Sequence, residues 1–271
     1  MSVDAVTSQP PPIAPIHGPL AHLRAWRRAI CLLAVTGAMV TAWLVGALPL
    51  LPSRAARSRW RRVCMRGWCR GVLWALGGRL AVRGAVPTSA RFLVCNHLSY
   101  IDIVALGSVL PVAFVARADV AGWPLIGPLA RAFDTVFITR EVKRKLPEVN
   151  AIVARRIADG CALVVFAEGT TTAGDRVLPL KPSLLEPAVA AGVSVQAACL
   201  HYVTEPPDAP ASVAVCWVDD VSFMRHGYAL LALRRIDAEL TFAPTARTAS
   251  DRKELAAALD ADVRAMFSPM A

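Results

Sequence analysis

RFLVCNHLSYIDIVALGSVLP, residues 91–111, changes its period halfway through. Residues 91–96 are almost unbroken apolar and read as a strand buried on both faces, whereas Ser99 to Leu110 carries helical spacing and stops at Pro111. A buried strand feeding directly into a helix is the building unit of an α/β domain. Between the two, His97 and Asp102 stand five apart in a stretch apolar enough to be buried. An imidazole takes a proton near neutral pH, and a carboxylate on its other nitrogen fixes the tautomer and stabilises the imidazolium. If Asn96 ends the strand and Leu98 begins the helix, the step brings both side chains to the same side of the first turn and a half. The same spacing also suits a histidine satisfied within a core, so the pair alone does not decide between them.

Outward from this unit the alternation continues. VAFVA (112–116), TVFIT (135–139), CALVVF (161–166), VSVQAACL (193–200) and SVAVCWV (212–218) read as strands. Residues 144–159 put Leu146, Val149, Ile152, Val153 and Ile157 on one helical face, closed by Gly160. KPSLLEPAVAAG reads as a helix closed by Gly192, and residues 250–267 as one opened by Ser250 as N-cap. AGWPLIGPLARAF suggests a loop with a short helix. The expectation is an α/β fold, a mixed, partly parallel sheet flanked by helices, with no internal repeat.

In such sheets the carboxyl ends of neighbouring strands line the crevice where ligands bind. Arg140 follows VFIT, and Glu168-Gly169-Thr170 follow CALVVF. His97, Arg140 and Glu168 are therefore expected to converge. Arg140 offers a bidentate fork for phosphate, and Gly169 lets backbone approach a ligand. Taken singly, each also reads as ordinary: a surface arginine, a strand-end carboxylate, a turn glycine.

Three ordered motifs give the set a family. NHLSYID (96–102) resembles the N-H-x-S-x-x-D motif of the glycerolipid acyltransferases that include 1-acylglycerol-3-phosphate acyltransferase. VFITR (136–140) resembles their second motif, ending F-I-x-R, and FAEGTTT (166–172) their third, F-P-E-G-T-R-S. The resemblance extends loosely over residues 80–245. It implies that His97 is the general base for an acceptor hydroxyl, oriented by Asp102, and that the hydroxyl attacks the thioester of acyl-CoA or acyl carrier protein without an acyl-enzyme. It implies that Arg140 meets a phosphate, that Glu168, Gly169 and Thr170 shape the acceptor pocket, and that neither a metal nor another cofactor takes part. Two positions depart from the pattern: Ala167 replaces proline, and Thr171 stands where arginine is usual, which removes one phosphate contact. Lys181 resembles a basic residue after the third motif and compensates in part. GTTTAGDRVLPLKPSL is also similar to bacterial relatives, some of which acylate lyso-ornithine lipid, a zwitterion without phosphate. The acceptor expected first is 1-acylglycerol-3-phosphate, with lyso-ornithine lipid second.

Composition points to a membrane. The 271 residues are 55% hydrophobic with formal net charge +10, mean hydropathy +0.47 and pI about 9.8. The charges abut an uncharged run, Ile30 to Leu51, which is long enough to cross a hydrocarbon core. Arg54, Arg57, Arg59, Arg61, Arg62, Arg66 and Arg70 follow it, the pattern expected beside anionic head groups. Residues 1–19 are then a disordered tail, and 20–80 are membrane-associated helices: the apolar run 30–51, spanning or re-entrant, and a basic amphipathic segment 53–80, whose mix of Trp and Arg also suits a helix packed on the protein's own core. Residues 81–271 are the acyltransferase α/β domain. The arginine bias after Leu51 predicts an inner-membrane protein whose catalytic domain faces the cytoplasm. Seven cysteines without metal spacing agree, read as reduced and structural. The partners expected are the lipid bilayer, a lysolipid acceptor and the acyl donor. Nucleic acid is excluded by where the charges lie, and a serine hydrolase by the lack of GxSxG. A non-catalytic lipid-binding tether is the rival class, but it has no use for His97, Asp102 and Glu168.

Overall fold

The computed structural model describes residues 14–88, 92–123, 126–132, 135–138, 151–152, 155–156, 162–218 and 221–270. Arg140, Gly160 and residues 1–13 of the expected tail lie outside the described residues. So does most of the helix expected at 144–159, although Ala151, Ile152, Arg155 and Arg156 are helical.

The described strands are β1 (Gly78–Arg83), β2 (Phe92–Cys95), β3 (Val112–Arg117), β4 (Val136–Ile138), β5 (Ala162–Val165), β6 (Val195–Thr204) and β7 (Ile236–Phe242). They form one sheet in the order β1-β7-β6-β2-β5-β3-β4, in which only the β6–β7 pair is antiparallel. β2 is central because its side chains are apolar on both faces. Leu93 and Cys95 enter one core, beneath α2 (Arg54–Ala75) and α3 (Ile101–Val109), together with Leu73, Leu106 and Leu240. Phe92 and Val94 enter the other with Leu163, Val165, Leu255 and Leu259, the last two from the helix Arg252–Met266.

Several elements differ from the sequence expectation. SVAVCWV is not a strand: Ala211–Ala214 is a short helix, and the chain then passes beside the β2–α3 loop, where Trp217 N–H donates to Leu98 O at 2.7 Å. Residues 181–192 are a 3-10 turn (Pro182–Leu184) and a short helix, Glu186–Ala190, split because Pro187 offers no N–H to a continuous ladder. β1, the helix Phe223–Ala232 and β7 were not anticipated, although IDAELTF alternates buried and half-exposed as a one-sided strand should. The last helix is capped by Asp251 rather than Ser250. Its Oδ1 accepts from Lys253 N–H at 2.8 Å and Glu254 N–H at 3.1 Å, and its charge suits the helix N-terminus. None of the described cysteines is in a disulfide.

Helix α1 (Pro19–Ala47) is longer than the apolar run and folds back through a 3-10 turn, Leu48–Leu50, onto α2. The two are antiparallel: Trp60 Nε1 donates to Ala42 O at 3.2 Å, and Trp68 Nε1 to Thr36 Oγ1 at 3.1 Å. Close approach depends on glycine, since a Cβ on Gly71 would come within 2.6 Å of Val35 Cγ1 and one on Gly67 within 2.7 Å of Met39 Cε. Part of the basic load read as facing head groups holds the hairpin to the domain instead. Arg66 and Arg70 each donate from Nε to Ser108 O at 3.1 Å, at the open C-terminal end of α3. In the same way Arg24 donates to Ala232 O at 2.8 Å, and Arg28 to Leu231 O at 3.2 Å and Arg234 O at 2.9 Å, closing the end of the helix Phe223–Ala232.

Candidate active site

The parallel register explains why residues 71 apart meet. Val94 of β2 lies opposite Val165 of β5, and three residues beyond each stand His97 and Glu168. The two loops are stitched together by main chain and carboxylate. His97 N–H donates to Glu168 Oε1 at 2.8 Å, Thr172 N–H donates to His97 O at 3.0 Å, and Leu178 N–H donates to Glu168 Oε2 at 2.8 Å. Asn96 fastens the end of β2 on its other flank, where it accepts from Leu200 N–H at 2.7 Å and donates to Leu200 O at 2.9 Å. Both sides of the strand end are thereby fixed.

His97 Nδ1 donates to Asp102 Oδ2 at 2.8 Å. The pair forms, though not across one helical face: α3 begins only at Ile101, and residues 97–100 wrap around the carboxylate. Oδ2 also accepts from Leu98 N–H at 2.7 Å and Ser99 N–H at 3.0 Å, so the buried charge is what orders the loop. Asp102 is 0% exposed, whereas the His97 side chain is 21% exposed and lies flat on Phe166, with ring centroids 3.9 Å apart and planes at 10°. The imidazole is held by one edge and one face. Its Nε2 edge has no hydrogen-bond partner among the described residues.

Glu168 is 1% exposed, and both of its oxygens are taken by backbone N–H groups. Burial pushes its carboxyl above the usual range, opposed by the N–H donors of Leu178 and His97. It therefore shapes the site from beneath. Gly169, at φ +75°, was expected to give room to a ligand, but in the structure the space belongs to Lys181: a Cβ there would land on Lys181 Nζ. Lys181 is anchored by its own N–H, which donates to Ala167 O at 2.8 Å, and its side chain bonds to no other among the described residues. Thr170 follows in the same turn, half-buried. Arg140 lies outside the described residues. The strand preceding it, β4, is separated from β5 by β3.

Behind the loop, Tyr100 OH donates to His226 Nδ1 at 2.9 Å, and His226 Nε2 donates to Cys216 O at 3.1 Å. The carbonyl can only accept, so Nε2 carries a proton, and burial lowers the proton affinity of the ring, which favours its neutral form. Three participants were missed from the sequence. Phe166 had a signal, its place as the first residue of the third motif, whereas Tyr202, which donates its OH to Asp102 Oδ1 at 2.8 Å, and Leu178 had none.

The chain is similar to known acyltransferases. A family model described as Acyltransferase matches residues 79–201. A lyso-ornithine lipid O-acyltransferase of Brucella abortus (strain 2308) is 34% identical over 84% of this chain and 92% of its own length. A 1-acyl-sn-glycerol-3-phosphate acyltransferase of Neisseria meningitidis serogroup B is 29% identical, covering 73% of this chain and 78% of that one. The crystal structure of the 1-acyl-sn-glycerophosphate acyltransferase PlsC from Thermotoga maritima superposes with a TM-score of 0.62 at 17% identity, covering 90% of this chain and 95% of that one; this likeness is one of fold.

Proposed function

The chain belongs to the acyltransferase family, and on that premise we propose that it transfers a fatty acyl group from a thioester donor to the hydroxyl of a lysolipid, with His97 as general base. The observation that carries this reading is the 2.8 Å bond from His97 Nδ1 to a fully buried Asp102, which leaves Nε2 as the free basic edge. Nε2 takes the acceptor's hydroxyl proton as that oxygen attacks the thioester carbonyl. The new C–O bond replaces the C–S bond, and the departing thiolate recovers the proton from the imidazolium. Asp102 stabilises the imidazolium between the two transfers. Acyl-CoA or acyl carrier protein supplies the acyl group, and the reaction asks for no metal or other cofactor.

For the acceptor we place lyso-ornithine lipid ahead of 1-acylglycerol-3-phosphate, reversing the order expected from the motifs alone. Relatives of the first kind share more sequence with this chain. Thr171 removes a cation that a phosphodianion would use, while the Lys181 ammonium beside Gly169 suffices for a single carboxylate. The hairpin favours re-entry into one leaflet over a crossing. α2 lies antiparallel along α1 and carries Arg59, Arg61, Arg62, Arg66 and Arg70, each of which would cost about 2.5–3.5 kcal/mol at a bilayer centre. The arginine bias after Leu51 supports a place on the cytoplasmic face of the inner membrane.

The test is to offer the detergent-purified protein labelled acyl-CoA and acyl-acyl carrier protein with each lysolipid in parallel, alongside His97→Ala. Ornithine lipid formation abolished in the variant supports the reading. Phosphatidic acid alone moves the acceptor to 1-acylglycerol-3-phosphate. Release of free fatty acid makes it a thioesterase, and transfer to neither lipid makes it a tether.

A further inference from the structure

The fourth hydrogen bond to Asp102 comes from the neighbouring strand β6, on the face of the sheet that α3 covers. Oδ2 carries three donors, whereas Oδ1 carries one, the Tyr202 hydroxyl at 2.8 Å. Tyr202 is 1% exposed and projects from β6, the strand that pairs with β2 in parallel and with β7 in antiparallel register. Among the described residues no other group donates to Oδ1, and Tyr202 belongs to the apolar cluster containing Leu200, Leu230 and Leu240. We propose that Tyr202 is a positioning residue that sets the proton affinity of the His97–Asp102 pair, and so the pH range in which His97 works as a base.

The argument is one of charge distribution. A carboxylate with an added donor spreads its charge toward that donor and pulls less on the proton shared with its other partner. With the Tyr202 bond in place, part of the Asp102 charge is drawn toward Oδ1 and away from His97. Remove the hydroxyl, and Oδ1 becomes a buried oxygen without a donor in an apolar wall. The pair then gains more from taking up a proton, so it is protonated at higher pH. The change belongs to the pair rather than to either residue.

Other titratable groups around Asp102 leave this axis clear. The thiols of Cys95 on β2, Cys199 on β6 and Cys216 after the helix Ala211–Ala214 are all pushed up by burial, Cys199 and Cys216 to about 12, and stay neutral in the working range. The Tyr202 phenol is itself driven well above its ordinary value, first by burial and then by Asp102, so it acts only as a donor. Among the described residues, Glu168 lies beneath the His97 backbone, while Glu239 and Asp175 act on Cys199 and Cys216.

The inference rests on His97 being the base, and the experiment separates the two. We would measure kcat/KM against pH for the full-length enzyme, for Tyr202→Phe, and for enzyme with 3,5-difluorotyrosine incorporated at 202, a stronger donor of nearly the same shape. Tyr202→Phe should move the acidic limb up by about one unit, with up to about tenfold less activity below it and an unchanged KM for the acceptor. The fluorinated enzyme should move the limb down. Opposite displacements cannot arise from a merely structural role, which would scale the whole profile. Superimposable limbs in both variants overturn the inference while leaving His97 as base. Activity retained in His97→Ala overturns the base assignment itself. Should Tyr202→Phe fail to fold, the fluorinated enzyme alone decides.

Discussion

Glu168 is joined to the His97 main chain rather than to its ring: Oε1 accepts the His97 N–H at 2.8 Å while Oε2 accepts that of Leu178 at the same distance. Two loops that end on parallel strands are thereby clamped by one buried carboxylate. An amide cannot replace it, because whichever N–H its oxygen serves, its NH2 faces the other donor. Glu168→Gln should cost about 1–3 kcal/mol of stability and lower kcat more than tenfold. Chemical denaturation and steady-state rates would check this, and a variant matching wild type in both would show that the clamp is dispensable.

Asp102→Asn separates orientation from charge. With its amide oxygen in the Oδ2 position, asparagine still accepts from Leu98, Ser99 and His97, and its NH2 meets a Tyr202 hydroxyl free to rotate and accept. The loop and the His97 tautomer survive, but the stabilisation of the imidazolium does not. Turnover should fall on the order of 10²–10⁴-fold with acceptor KM little changed. Loss of only a few-fold would mean that Asp102 matters for geometry alone.

Gly169→Ala tests the role of Lys181. The substitution puts a side chain at φ +75° and drives the ammonium from its place, at about 1–2 kcal/mol for the backbone conformation. Acceptor KM should rise, and Lys181→Met should raise it similarly. Because both remove the same contact, the double variant should be no worse than the poorer single. Additive losses would show that the two act separately.

His226 gives the fold a dependence on pH. Burial lowers its proton affinity, so the unfolded chain binds the proton more tightly than the native one. The stability this contributes is present above the unfolded value, near about 6.5, and is lost as pH falls from there through the lowered native value. Unfolding free energy should therefore drop between roughly pH 7 and pH 5, and His226→Gln should flatten that slope. An unchanged slope in the variant would assign the dependence to other groups.

What the sequence allowed one to read, and what it did not, follows the range of the interactions. β2 and its two cores were legible because Phe92 to Cys95 is apolar at every position, a pattern that local chemistry alone produces. His97 and Asp102 were legible because they lie within one loop. Glu168 showed in its motif, but its two bonds depend on the register Val94↔Val165, a property of the assembled sheet. Tyr202 is 100 residues from Asp102 and sits in a strand whose pattern gives no hint of a site. Arg66 and Arg70 could be read either way, because a surplus of charge beside an apolar run looks alike whether it meets lipid or the open carbonyls of α3.

The outer face of α1 offers the most direct test of membrane docking. Leu33 is 74% exposed and Leu44 56%, on a stripe that also shows Leu23, Ile30 and Leu48, away from both α2 and the domain. Substitutions there disturb no packing, so Leu33→Asp/Leu44→Asp should fold with stability within about 0.5 kcal/mol of wild type. In lipid the same change replaces two favourable side chains by two charged ones, each worth about 3 kcal/mol at depth. Flotation with vesicles containing anionic lipid should show at least about 100-fold weaker binding, while turnover of a short-chain, monomeric acceptor stays at the wild-type rate. Undiminished flotation would mean that the arginines alone hold the protein at the surface and that the stripe never enters the leaflet. Loss of turnover on the monomeric acceptor would place the stripe in the substrate path instead.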